Sequence, residues 1–177
     1  MEEDSVVRVP VSEIREPLLE LFTYIPYFEG RVGGTFKFQY WDEETGEVKD
    51  VEGYEEANRQ ASFPDPVLDE TFHKFKRTLI REIYDKFEYA DGTWWSRFPN
   101  TKLGDWESPM DKLGFLLQRL LYAAIHERMC TGYTEVCMKN GIYPRLLEKI
   151  KAVLPEIPED AVFIHPRRSP GQKAKKP

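Results

Sequence analysis

The chain predicts an α+β fold, mainly α: about four helices around one core, with a β-hairpin or small antiparallel sheet on one side. Two patterns and their punctuation carry that reading. Apolar side chains recur at helical spacing in four runs, and one aromatic run alternates with period two ahead of a polar turn that ends in glycine. Proline and glycine mark the boundaries between them.

Residues 1–10 are acidic, then extended, and end at Pro10, as a lead-in or an edge strand would. Ser12 is placed to cap a helix to about Tyr24. Ile14, Leu18, Leu21, Phe22 and Ile25 share its spacing, and Pro26 stops it. Pro17 falls near the first turn, where a missing N–H costs little. In Thr35 to Trp41 the rings of Phe36, Phe38 and Tyr40 share one face. Asp42 to Gly46 then turns the chain into Val48–Val51, completing a hairpin. Gly30, Gly33 and Gly34 precede no helix and no suitably placed lysine, so they are not a phosphate loop.

Asp65 and Pro66 read as the N-cap and first position of a helix to about Phe87. Leu68, Phe72, Phe75, Leu79, Ile83 and Phe87 form its stripe. Residues 89–107 form a long aromatic loop. Ser108 opens the next helix with a capping-box arrangement toward Asp111, and Leu113, Leu116, Leu117, Leu120, Leu121, Ala124 and Ile125 give the strongest stripe in the chain. Thr131-Gly132 breaks it. A short helix from Tyr133 to Lys139, an Asn140-Gly141 cap and a last helix from Tyr143 to Val153 follow. Val162–Ile164 can add a short strand. The expected organisation is one globular domain, 1–160, and a basic Pro/Lys-rich disordered tail, 161–177.

Composition bounds the function. Of 177 residues, 41% are hydrophobic and 14% aromatic, which suits a globular domain with an aromatic core. No apolar run is long enough to cross a bilayer, and the acidic start is unlike a signal peptide, so a cytoplasmic location is expected. Cys130 and Cys137 are too few for a disulfide scaffold. The net charge is −6, and the tail's Arg167, Arg168, Lys173, Lys175 and Lys176 leave residues 1–165 five charges more negative than that. Such a body repels nucleic-acid phosphates. The tail alone would attract polyanions, DNA or RNA included.

Chemistry concentrates at His126-Glu127-Arg128-Met129-Cys130-Thr131-Gly132. On a helix continued from Leu113, Arg128 projects from the apolar side with Glu127 at its edge. A buried arginine needs an acceptor, here Glu127, an acid elsewhere such as Asp91, or the unpaired carbonyls at the helix's own C-terminus. The pair then either fixes the helix end or grips an anionic or amide group at a cleft beside Trp94. His126, Cys130 and Cys137 fall at i, i+4 and i+11, yet Gly132 intervenes and no fourth ligand is evident, so no metal and no cofactor is expected. Cys130 with His126 lacks an orienting third group, and no catalytic signature appears. No catalytic residue is assigned. Trp94, Trp95, Phe98 and Trp106 either fill the core or form a partner surface.

Residues Leu116 to Val153 resemble a family of uncharacterised prokaryotic and phage proteins, domain-of-unknown-function family sixty-five-oh-eight. The match is carried by Glu127-Arg128-Met129-Cys130-Thr131-Gly132, by Asn140-Gly141-Ile142 and by Arg145 to Ile150. Two earlier pieces also fit, Tyr24 to Phe28 and the Tyr89, Asp91 and Trp94 region. The chain departs at Ala124, where the family has arginine, and at Met129, where it has phenylalanine. The resemblance implies a shared junction and no activity. The sequence thus points to a small acidic non-enzymatic binding protein of the accessory or inhibitor kind found on mobile elements, with a protein partner and no membrane contact. The alternative is an enzyme or nucleotide-binding protein with a cleft between residues 89–106 and the junction.

Overall fold

The computed structural model describes residues 6–87, 106–128 and 131–166. The chain enters as strand β1 (Val6–Pro10), whose antiparallel partner is the last strand, β5 (Val162–Pro166), with Val9 opposite Phe163. Val7, Val9, Phe163 and His165 point inward and are buried, the period-two pattern of a strand with one wet face. The short strand expected at Val162–Ile164 forms and runs on to Pro166, inside the stretch also expected to be tail, because Phe163 has a core to enter.

Helix α1 (Val11–Phe22) starts one residue before Ser12. Pro10 holds the extended geometry of the N-cap position, and no side chain caps the helix. The Val11 N–H instead donates to Ala161 O at 2.8 Å, which ties the helix start to the chain entering β5. Pro26 does not stop α1. It lies in the first turn of a separate helix, α2 (Ile25–Glu29), where its missing N–H would have had no partner.

The hairpin forms as expected, from β2 (Lys37–Asp42) and β3 (Glu47–Glu52). Phe36 and Phe38 are buried on one face. A helix that sequence reading left unassigned, α3 (Tyr54–Gln60), follows at once. Asp65 and Pro66 are β4, a two-residue edge strand against β2, and not a helix start. The cap is Asp69, whose carboxylate accepts the Phe72 N–H at 2.9 Å. The same oxygen accepts from the Tyr27 hydroxyl, and Arg31 pairs with the other.

Helix α4 (Glu70–Arg77) continues as a π-helical segment (Thr78–Ile83) and a 3-10 turn (Tyr84–Phe87). Helix α5 (Pro109–Ile125) begins at Ser108, which has N-cap backbone geometry but makes no capping hydrogen bond. A 3-10 turn (His126–Arg128), α6 (Tyr133–Lys139), α7 (Ile142–Val153) and a closing 3-10 turn (Leu154–Glu156) follow. Phe28 sits at the centre, stacked on Tyr143 at 4.7 Å and edge-on to Phe75 at 4.8 Å. The α+β, mainly helical class is what the structure shows. Among the described residues its β part is two small antiparallel sheets.

Candidate functional site

The junction after α5 does not continue the helical face. The backbone tightens into the 3-10 turn, and Glu127 swings toward the start of α6. Its Oε1 accepts the Gly132 N–H at 2.7 Å and its Oε2 accepts the Thr134 N–H at 2.6 Å. These amides belong to the first turn of α6, where donors lack helical partners and the dipole favours a negative charge. Gly132 occupies the N-cap position with φ +85° and has no side chain to cap with. It cannot be replaced freely, because a Cβ there would lie 2.5 Å from the Tyr54 ring. Glycine meets the geometry, and a carboxylate five residues upstream supplies the missing acceptor.

The same device recurs one helix away. Gly53, at φ +84°, is the N-cap position of α3 and again offers no side-chain acceptor. The buried Glu135, in the first turn of α6, accepts the Tyr54 N–H at 3.0 Å. Glu127 therefore secures α6, Glu135 on α6 secures α3, and Tyr54 of α3 covers Gly132. The closed circuit joins the end of α5 to the hairpin region.

Burial holds three side chains around it, Cys137, Tyr133 and Tyr143, in their neutral forms. Burial pushes the Cys137 thiol up to about 11, and a protonated thiol is a weak nucleophile and ligand. Burial likewise pushes Tyr133 up to about 12. Burial raises Tyr143 well above the usual tyrosine range, and its hydroxyl donates to Ala123 O at 2.7 Å. His126 stacks on Tyr122 at 4.1 Å and shares a 3.0 Å hydrogen bond with its hydroxyl. Among the described residues no group of three potential metal ligands comes together.

Of the residues singled out from sequence, Glu127 is thus engaged with backbone amides, on both oxygens. Arg128 ends the 3-10 turn. Its side chain, with Asp91, Trp94, Trp95, Phe98 and Cys130, lies outside the described residues, as do Arg167, Arg168, Lys173, Lys175 and Lys176. Trp106 is described; it is partly buried against the core.

Two surface features escaped sequence reading. A shallow groove of about 680 Å³ runs between α1 and the π-helical segment. Glu16, Glu20 and Glu82 line it with Arg77 and Arg81, and the Thr78 hydroxyl donates to Glu20 at 2.9 Å. Both signs of charge are present, but the walls are too open to enclose a small molecule.

The second feature is the solvent face of the hairpin. Trp41 and Val48 lie directly opposite each other across the strands and are 61% and 59% exposed. Residues 37–60 contain eight carboxylates and three basic side chains. Asp42 accepts the Glu44 and Thr45 amides in the turn. Its pairing with Lys49, followed by the Thr45 amide, holds it below the usual carboxylate range. Asp50 is lowered by Gln39 and then Lys37, which lie at 3.0 and 3.2 Å. The side chains of Glu43, Glu44 and Glu47 make no ion pair or hydrogen bond among the described residues. The alternation Lys37-x-Gln39-x-Trp41, against an apolar inner face, was the available signal for an outward tryptophan.

Compared with models of protein families, with curated proteins and with solved structures, the chain matches none. Among the described residues no helix is long and apolar enough to cross a membrane.

Proposed function

We propose that the chain is a non-enzymatic binding protein, of the accessory or inhibitor type, that meets a basic protein partner through the solvent face of its hairpin. One observation carries the reading: Trp41 and Val48 stand exposed side by side within the most carboxylate-dense stretch of the chain. Exposed tryptophan is a common interface anchor, and surrounding charge steers and orients a partner of opposite sign. The junction supports the reading from the other side, since the Glu127 oxygens already serve backbone amides.

The test uses the immobilised full chain in a cell extract, beside Trp41→Ala/Val48→Ser and Glu127→Gln. The expected partner is basic, elutes with salt and is lost with the hairpin variant. Glu127→Gln retains it at temperatures where that variant is folded. Equal recovery on the hairpin variant, or loss with folded Glu127→Gln alone, would overturn the proposal.

A further inference from the structure

The geometry points to a mode of docking: the outer edge of β3 takes up an extended segment of another protein that carries lysine or arginine, as a fourth strand of the sheet. This rests on the hairpin being the contact surface. The strand order is β3-β2-β4, so β3 is an edge. Among the described residues its backbone pairs with β2 alone and makes no other hydrogen bond. A row of unpaired N–H and C=O groups is a template for a further strand. The opposite edge is not comparable: β4 is two residues long, and one is Pro66, which has no N–H to donate.

The register says which side chains such a strand would bring. On the solvent face three cross-strand columns run Trp41 beside Val48, Gln39 beside Asp50, and Lys37 beside Glu52. An added strand lengthens each column by one residue. An apolar residue fits against Val48, and basic residues fit against Asp50 and Glu52, giving apolar-x-basic-x-basic in a strand parallel to β3 and the reverse order in an antiparallel one. Asp50 already pairs with Lys37, yet 47% of its side chain remains exposed. The charge excess of residues 37–60 also selects the occupant. Pairing β3 with β3 of a second copy would crowd carboxylates from both chains, whereas a basic segment relieves them.

The probe is a short synthetic peptide in which threonine alternates with valine, lysine and lysine. It is added to the isotopically labelled full chain and followed by amide exchange. Binding is expected to slow exchange at alternate β3 amides. N-methylation of the peptide along its bonding edge should weaken binding about tenfold, and along its other edge less than about twofold, because only one edge forms the ladder. Equal binding of both methylated peptides, with the Trp41 signals still moving, would overturn strand addition and leave the hairpin as the contact. A peptide that leaves the hairpin unchanged, while capture of the cellular partner still needs Trp41, would overturn the basic-segment assignment. Slowing of β3 exchange that grows with protein concentration, without peptide, would overturn it in favour of a second copy.

Discussion

Carboxylates at the α5–α6 junction and carboxylates on the hairpin are the same chemical group in opposite uses. Glu127 and Glu135 have oxygens within 3.0 Å of backbone amides that no helix turn can satisfy. Glu43, Glu44 and Glu47 are exposed to solvent. The difference is position: a carboxylate beside unpartnered amides becomes part of the fold, and one on a wet strand or turn stays available. Charge at the junction is therefore structural, and charge on the hairpin is a field presented to the outside.

The junction should be the more sensitive of the two regions. Gly132→Ala sets a Cβ against the Tyr54 ring at a positive φ, and strain plus overpacking should destabilise the chain by about 3 kcal/mol in urea unfolding. Glu127→Gln comes next. It removes the charge that two amides share and puts an NH₂ where an acceptor is needed, for an expected loss of about 2 kcal/mol.

The third prediction concerns pH. Folding raises the Cys137 thiol from 9.0 to about 11. Between those values the folded chain holds a proton that the unfolded chain releases, so stability should fall as pH rises through this window. Tyr133, up at about 12, and Tyr143 prolong the fall. Urea midpoints measured across the window should show it, and Cys137→Ala should remove its first part.

The smallest effect sharpens the contrast. Glu43→Gln and Glu47→Gln should each change stability by less than about 0.5 kcal/mol, because both side chains are exposed, and Trp41→Ala by less than about 1 kcal/mol, the worth of its cross-strand pairing with Val48. Differential scanning calorimetry on the three variants checks this.

How legible these features were follows from the range of the interactions. The Phe72–Phe87 stripe, the leucine stripe of α5 and the aromatic alternation of β2 are local patterns, and each appears where periodicity places it. Helix starts were read less well. Ser12 and Asp65 are good capping residues, but the caps fall at Pro10 and Asp69, where the strand β1 and the pairing of β4 with β2 set the boundaries. The density of polar residues at 126–132 marks the junction in the sequence, but the role of Glu127 is not legible there. Its partners come from a turn that abandons the helical face, and the second half of the circuit, Glu135 to Tyr54, spans 81 positions. Periodicity carries no information about such pairs.

The most direct test of this division of labour is one two-dimensional amide spectrum of the labelled chain, recorded with and without the alternating lysine peptide. Signals from residues 37–52 should move while those of Gly132 and Thr134 stay fixed. Movement of the Gly132 and Thr134 signals with a silent hairpin would contradict it.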